Sequence, residues 1–255
     1  MAIVAVAGDT ATTTSVALAA TWPGGDDVVL VEADPSGGDL AAWFDLPVEP
    51  SLSTVVTSVL DGAWPDVERH TRLAANGIRL IPAPARSGEA TQAVGEAARS
   101  LVPTLATLRS PVAVVDTGRL DLSSASNPFV IGAAVGVIVH RQSPQSSRAA
   151  AVRLQRLVDQ VDLATTSHAA TVVAVVGEAP FGADEIAAHL TDAVGAVPVV
   201  GLPLDDLTAA VFGGRTGVSG RRLARLPLMR GATRLAAICE QQLSTASAEL
   251  WRTGR

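Results

Sequence analysis

Seven short apolar runs recur along the chain with helical stretches between them, and they constrain its fold more than any other feature. They cover residues 2–7, 28–32, 78–82, 112–116, 133–140, 170–176 and 197–202. Each run is almost continuously apolar, which is typical of parallel strands covered on both faces. The stretches 89–108, 143–161 and 183–192 have the apolar spacing of crossover helices. The pattern predicts an α/β fold, a doubly wound, mostly parallel seven-stranded sheet with helices on both faces.

The same alternation predicts one domain over residues 1–255. No Pro- or Gly-rich linker and no internal repeat interrupts it. With 48% apolar residues, a chain of 255 residues can bury a large core. From about residue 205 the pattern changes to helices alone, over 205–212 and 226–243, and we expect this C-terminal part to pack on the sheet as a covering layer.

Composition excludes several classes of function. Each of the 19 positively charged side chains is arginine, so any mechanism that needs a lysine ammonium is excluded. Cys239 is the only cysteine, which excludes a disulfide within the chain and a cysteine-based zinc site. A net charge of -6 argues against a protein coated for nucleic acid. The longest apolar run, 129–139, is too short to span a bilayer, and we expect a cytoplasmic protein.

The carboxyl ends of the predicted strands gather the candidate functional residues, because ligands of open parallel sheets bind there. The first strand runs directly into a loop of small residues, 8–14, and then into a helix, 15–21. Free N–H groups and the helix dipole converge at such a junction, so its geometry is that of a phosphate-binding loop. The residues at the other strand ends are Glu32, Asp34, Arg86, Asp116, Arg119, Arg141, Glu178, Pro203 and Asp205.

Four stretches carry a resemblance to a known family. Residues 29–39, Val-Leu-Val-Glu-Ala-Asp-Pro-Ser-Gly-Gly-Asp, resemble the stretch of ParA/MinD-type P-loop ATPases in which a strand ends in acidic residues followed by Pro and Gly. Residues 7–14 occupy the place of that family's loop Lys-Gly-Gly-Val-Gly-Lys-Thr-Thr. Residues 114–117, Val-Val-Asp-Thr, are similar to its Walker B strand, and 197–205 to the last strand and turn that frame the adenine. The ordered set covers residues 2–243.

The resemblance implies a P-loop NTPase fold, ATP and Mg²⁺ as cofactors, and a homodimer or a heterodimer with a ParA/MinD-like ATPase. We assign the site residues by aligning this sequence with the family's motifs, and we add Arg119 as a substitute for the missing lysine. The nucleotide contacts are then Gly8, Asp9, Thr10, Ala11, Thr12, Thr13, Thr14, Arg119, Pro203 and Asp205, the metal contact is Thr13, and the catalytic carboxylates are Asp34 and Asp116.

Departures from the family pattern indicate impaired catalysis. Thr12 and Ala7 stand where the family has its two lysines, so neither place supplies a charge. Asp9 brings a carboxylate to a loop that should face phosphate, and Asp9 and Ala11 replace glycines, which we expect to restrict the backbone. We therefore expect tight ATP binding to be lost. In the structural alternatives, the threonines and Asp9 serve the helix start, Asp34 initiates a turn, and Asp116 caps a strand end.

Three functional hypotheses remain open from the sequence. The first is a degenerate ParA/MinD-like protein that acts by interaction in partitioning, positioning or assembly of a cargo such as DNA or division, secretion or pilus machinery. The second is an active, atypical ATP-binding hydrolase in which Arg86, Arg119 or Arg141 replaces the lysine. The third takes Glu32 or Asp34 as the ribose-binding acid of a dinucleotide fold, although Gly-x-Gly-x-x-Gly is absent after the first strand.

Two surface features bear on partners. Residues 215–234 hold six arginines and no acidic residue, which predicts a weak contact with DNA, with a solvated helix face as the alternative. Residues 247–255 are too short and too mixed to form an amphipathic membrane helix, so we expect no stable membrane insertion. The four histidines show no helical metal-ligand spacing, which predicts no histidine-based metal site.

Overall fold

A computed structural model describes residues 2–24, 28–60, 67–74, 77–106, 111–121, 123–143, 146–166 and 170–253. Its centre is an eight-stranded sheet. The strands are β1 (Ile3–Gly8), β2 (Val28–Glu32), β3 (Arg72–Leu73), β4 (Arg79–Ile81), β5 (Val112–Asp116), β6 (Val135–Arg141), β7 (Ala170–Val176) and β8 (Val199–Leu202). Valine, isoleucine and alanine fill most of these strands, and the β-branched side chains favour extended backbone.

The order across the sheet is β3-β4-β2-β5-β1-β6-β7-β8. All neighbouring strands are parallel except β3 and β4, which are antiparallel. Strand β1 lies between β5 and β6, so the chain moves to one side of β1 first and to the other side later. Such a reversal opens a crevice at the carboxyl ends of the strands. The loop after β1 stands at this crevice.

The predicted α/β fold with a mostly parallel sheet is confirmed, and the strand count was one too low. All seven predicted runs form strands. The missed strand, β3, has two residues, and Leu73 in it is 70% exposed. A two-residue edge strand has no covered face, so it leaves no apolar run in the sequence.

Eleven helices surround the sheet in the described chain. They are α1 (Ala11–Ala20), α2 (Leu40–Trp43), α3 (Leu52–Leu60), α4 (Val67–His70), α5 (Ser87–Ala106), α6 (Asn127–Ile131), α7 (Ser147–Thr166), α8 (Ala183–Val194), α9 (Asp206–Phe212), α10 (Gly220–Leu223) and α11 (Pro227–Thr253). Helices α2, α4, α6 and α10 were missed because one turn is too short to show a helical period.

The helices cover both faces of the sheet. Helix α11 packs on β8 and β7 and against α1, and its buried Leu235 and Ala236 share a core with Val4 and Val6 of β1. On the opposite face, α3, α5 and α6 cover the half around Ile3. Helices α7 and α8 cover the half around Ile138 and Val173. Both faces of β1 are therefore buried under helices, and only its carboxyl end opens to solvent.

Helix lengths and composition also bear on membrane contact. Within the described ranges, no helix is both long enough and apolar enough to cross a bilayer.

Candidate functional site

Only Asp9 and Thr10 separate β1 from α1, and backbone contacts hold this junction in place. The Gly8 N–H donates to the Gly118 carbonyl at 2.9 Å, and the Asp9 N–H donates to the Val139 carbonyl at 2.9 Å. Gly8 has a φ of +119°, and a Cβ added there would lie 2.3 Å from the Val139 oxygen. No side chain fits that gap, so only glycine allows β1 to end this close to β6.

Left-handed backbone falls at Gly8 and at Thr10, whose φ is 56°. Asp9 and Ala11 have negative φ, and the expectation that they restrict the backbone was wrong. The strained residue is Thr10, which could not be singled out from the sequence because it replaces a valine of the family pattern, not a glycine. A β-branched residue with positive φ is rare and costs about 1 to 3 kcal/mol unless its surroundings impose it.

The first turn of α1 has N–H groups at the crevice that find no partner among the described residues. The first intrahelical bond runs from the Thr14 N–H to the Thr10 carbonyl at 3.1 Å, so the N–H groups of Ala11, Thr12 and Thr13 precede it. The Thr10 side chain makes no capping bond, and the Thr14 hydroxyl bonds back to the Thr10 carbonyl at 3.0 Å. The helix start is thus open to an anion.

The Asp9 carboxylate turns away from α1 and toward α7. Its Oδ2 accepts from an Arg153 guanidinium nitrogen at 2.6 Å and from the Arg141 N–H at 3.3 Å. The same Arg153 nitrogen donates to the Arg141 carbonyl at 3.0 Å. The ion pair is partly exposed, which limits its contribution to about 1 kcal/mol. Asp9 is therefore neutralised within the chain, and its repulsion of a phosphate is smaller than its sequence position indicates.

Asp116 is fully buried at the carboxyl end of β5. Its Oδ1 accepts from the Gly118 N–H at 3.1 Å, while Oδ2 has no well-formed hydrogen bond in the described part of the chain. The pKa of Asp116 is raised to about 6, chiefly by burial and in part by the charges of Asp34 and Asp39, while the Thr12 hydroxyl and the Gly118 N–H oppose the rise. Thr12, at the place of the family lysine, faces this carboxylate without neutralising it.

Asp34 lies directly over the turn after β5. Its Oδ1 accepts from the Ser36 N–H at 2.8 Å, the turn geometry expected of Asp-Pro-Ser. A Cβ added at Gly118, whose φ is +68°, would lie 2.4 Å from the Asp34 Cγ. Gly118, where the family pattern has proline, thus makes room for the carboxylate. The structure brings Asp34 and Asp116 together, as their positions at neighbouring strand ends predict.

Glu32 has a structural role. It is 1% exposed and accepts three backbone N–H groups, from Asp39 at 2.7 Å, Leu40 at 3.0 Å and Ala83 at 3.0 Å. It ties the start of α2 to the end of β4. Burial raises the pKa of Glu32 to about 7, although the N–H donors oppose that rise. A carboxylate enclosed in this way does not reach a ribose, which removes Glu32 from the dinucleotide hypothesis.

The side chains of the three arginines proposed as substitute cations do not contact the loop in the described part of the chain. Arg86 forms an exposed pair with Glu89 at 3.5 Å. Arg119 and the side chain of Arg141 are exposed. Across the described residues, no hydrogen bond or ion pair joins any of the three side chains to residues 8–14. The arginine whose side chain contacts the loop is Arg153 of α7, which could not be singled out from the sequence because it lies 144 residues from Asp9.

Pro203 and Asp205 have different structural roles, one in the wall of a cavity and the other as a helix cap. Pro203 lines a cavity of about 720 Å³ at the carboxyl ends of β7 and β8, together with Glu178, Arg230 and Arg234. Asp205 caps α9: it accepts from the Thr208 N–H at 3.0 Å and hydroxyl at 2.6 Å. It also accepts from the Leu228 N–H at 3.1 Å, which joins α9 to the start of α11. Its contact with a nucleotide stays a prediction.

Asp205→Ala is expected to destabilise the protein by about 2 kcal/mol, because one helix cap and two further hydrogen bonds are lost. Burial alone would raise the pKa of Asp205, but the bonds from Thr208 and Leu228 outweigh it and lower the pKa. The stabilisation is therefore complete above pH 4 or so and is lost in acid. Urea unfolding at pH 7 measures the cost. Asp206→Ala, exposed in the same turn, should change stability by less than about 0.5 kcal/mol.

No family sequence profile matches the chain, and no curated protein matches its sequence significantly. Solved structures do match it. They include MinD complexed with Mg-ADP from Pyrococcus horikoshii, at TM-score 0.69 and 13% identity over 96% of this chain and 97% of that one. A ParA family ATPase from Chlorobium tepidum gives TM-score 0.64 at 15% identity, with coverage of 92% and 97%. MinD from the MinC:MinD complex of Aquifex aeolicus gives 0.61 at 16%, with 94% and 95%.

The chain has the fold of MinD and of the ParA family ATPase. This shared fold confirms the resemblance seen in the sequence. Within this fold, oxygen donors suited to Mg²⁺ are present: the Thr13 hydroxyl, the free Oδ2 of Asp116 and the Asp34 carboxylate. The open N–H groups of α1 suit a phosphate. A cation for the phosphates is what the loop lacks.

A magnesium site would therefore depend on a nucleotide for some of its ligands. Among the residues described, no three His, Cys, Asp or Glu side chains are placed to hold a metal ion by themselves, and His168 lies outside those residues.

Proposed function

We propose that this protein is a cytoplasmic, single-domain positioning or partitioning factor of the MinD/ParA fold that acts through protein interaction and hydrolyses little or no ATP. The observation that carries the proposal is Thr12. It occupies the place of the loop lysine, its hydroxyl faces the buried Asp116, and the chain has no lysine to substitute for it.

Electrostatics supports impaired nucleotide binding. A triphosphate would meet Asp34 and Asp116 with no opposing cation from the loop, and two unit charges 4 Å apart repel by about 4 kcal/mol near a protein surface. In P-loop enzymes a lysine and Mg²⁺ offset that repulsion. Here only Mg²⁺ would remain, so we expect ATP to bind weakly and only with the metal.

Partners are proposed from the fold and from the surface. One solved structure of this fold is a complex of MinD with MinC, which supports a protein partner for this chain. We propose a homodimer, or a heterodimer with an active ParA/MinD-like ATPase, that positions DNA, division, secretion or pilus machinery. All six arginines of residues 215–234 are exposed, which supports a weak contact with DNA.

The test is to restore the missing charge. We expect the wild-type protein to show background ATP hydrolysis and weak ATP·Mg²⁺ binding by isothermal titration calorimetry. Thr12→Lys should raise ATP affinity about tenfold or more, because one charge-assisted contact contributes about 1.5 to 3 kcal/mol. Thr12→Gln, similar in length but neutral, is the matched control and should not raise it. Hydrolysis by the wild-type protein at an ordinary ParA-like rate, abolished by Thr13→Ala, would contradict the proposal.

The second candidate is an active, atypical ATP hydrolase that uses arginine at the phosphates. The observation in its favour is that Arg153 reaches the loop through Asp9, and Arg119 follows Gly118 at the same crevice. Micromolar ATP binding that disappears in Arg119→Gln, Arg141→Gln or Arg153→Gln would favour this enzyme over the interaction factor.

A further inference from the structure

A small polar cavity lies behind the Asp9–Arg153 ion pair, on the α7 side of β6. Its volume is about 150 Å³, and its walls are Asp9, His140, Arg153, Arg156 and Gln160. A cavity of roughly 10 to 15 Å³ is enough to hold one water molecule, so this cavity has room for a polyatomic ligand. It is built by β6, α7 and the start of the loop, and the N–H groups of α1 do not line it.

His140 is the buried polar group of this cavity. It is 8% exposed, and neither ring nitrogen makes a hydrogen bond within the described ranges. Burial lowers the pKa of His140, Arg153 lowers it further, and Asp9 opposes them. A neutral imidazole has one N–H to donate and one nitrogen that accepts. The ring can therefore donate to, or accept from, a molecule in the cavity that it lines.

The charges of the cavity favour an anion. Arg153 and Arg156 lie one turn apart on α7 and line the same space. Asp9 neutralises Arg153, whereas Arg156 has no ion pair among the described residues. Asp159, the next acid along α7, accepts from Gln155 at 3.1 Å. With His140 neutral, the lining therefore carries a net charge of about +1, from one acid and two arginines.

The entrance is basic as well. A surface hollow lined by Ser146, Arg148, Val152 and the same two arginines adjoins the cavity. Arg148 adds a further positive charge to it, in a protein whose net charge is -6. An anion approaching this face of α7 thus meets a local positive field.

We propose that this cavity binds a phosphate group, at a site that shares Asp9 with the loop after β1 but is lined otherwise by β6 and α7 and does not depend on the proposed function. Guanidinium groups come from two turns of α7, an imidazole comes from β6, and an amide comes from Gln160. Donors on several sides suit the tetrahedral oxygens of phosphate, whereas a carboxylate uses donors in one plane. Arginine is the side chain that most readily forms such paired bonds to phosphate.

The position of Asp9 gives the proposal a distinctive signature. Asp9 Oδ2 and a bound phosphate would share the Arg153 guanidinium, and the two negative charges would repel each other. Removing the acid should therefore tighten binding, although removal of a wall residue ordinarily weakens it. Asp9→Asn keeps the size of the side chain and removes only its charge.

The experiment is calorimetric titration of the full-length protein with inorganic phosphate, glycerol phosphate and acetate in separate arms. Wild-type protein should bind phosphate in the millimolar range. Arg156→Gln should weaken binding about tenfold, His140→Phe should weaken it severalfold, and Asp9→Asn should tighten it about tenfold, as expected for single charge-assisted contacts. Arg99→Gln, an exposed helical arginine on α5, is the matched control and should leave the affinity unchanged.

The arms separate the sources of the phosphate. Tighter binding of glycerol phosphate supports a phosphomonoester as the ligand, and tighter binding of inorganic phosphate supports the free ion. Three outcomes would overturn the proposal. The first is that neither phosphate compound gives a heat of binding with wild type or with Asp9→Asn. The others are that acetate binds with the same affinity as phosphate, or that Arg156→Gln binds phosphate with the wild-type affinity. Because Arg156 is exposed, its variant is expected to fold even if His140→Phe does not.

Discussion

Gly8→Ala is expected to lower the free energy of unfolding by more than about 3 kcal/mol, one of the two largest effects we predict. The added Cβ would stand 2.3 Å from the Val139 oxygen, and that atom belongs to the backbone of a central strand. A flexible side chain could move aside, but β6 is paired on both edges and cannot. The φ of +119° at Gly8 adds backbone strain for any L-residue.

Gly195→Ala separates the clash from the strain. Gly195 has a φ of +93°, and a Cβ added there meets nothing within 4 Å. We therefore expect a cost of about 1 kcal/mol from backbone conformation alone. Urea unfolding of the two variants beside wild type gives the comparison. Equal losses for both would mean that β1 and β6 separate easily and that the junction before the P-loop is not rigid.

The sheet was predictable because burial on two faces leaves a continuous apolar run. All seven runs met this condition, and all seven form strands. Strand β3 and the one-turn helices α2, α4, α6 and α10 lack such a signature, since a single turn or a two-residue edge has no period to detect. The long strands position the candidate site, however. For this reason the crevice at the end of β1 could be located from the sequence.

The acidic pair was predictable for a similar reason. Asp34 and Asp116 each follow a long apolar strand, and parallel strands bring their carboxyl ends to one edge. The Asp9–Arg153 pair was not predictable, because it joins the loop to the second turn of a helix 144 residues later. Helical periodicity locates α7, but it does not tell which arginine on it faces the sheet.

The structural roles of Glu32 and Asp205 were not predicted. A strand-end acid followed by a helix is a common cap, yet Glu32 and Asp205 each also join two elements through backbone N–H groups. Their partners lie up to 51 residues away, as with Ala83 for Glu32. The carboxylates at the crevice that do not join two elements are Asp34 and Asp116, whose charges act on each other, and no cation pairs with either of them among the described residues. The ionised form of Asp116 is therefore disfavoured, which raises its pKa.

Asp116→Asn is expected to stabilise the protein at pH 7.5 by as much as about 3 kcal/mol and to leave it unchanged at pH 4. Burial raises the pKa of Asp116 from 3.8 to about 6. Between these values the folded state binds more protons than the unfolded state, so stability falls as pH rises through that window. Asparagine has no proton to lose and escapes this penalty, while its amide can still accept from the Gly118 N–H.

Urea unfolding of wild type and Asp116→Asn at both pH values measures the effect. The pKa of Glu32 is also raised, mainly by burial, and that part is present in both proteins and cancels in the difference; the charge of Asp116 is the last of its causes, so its removal changes the Glu32 contribution only slightly. Asp162→Asn, on the exposed face of α7, is the matched control, and its difference from wild type should be the same at both pH values. If Asp116→Asn were destabilised equally at pH 4 and pH 7.5, Asp116 would be ionised in the folded state at both pH values. The crevice would then carry a negative charge that repels phosphate across this range.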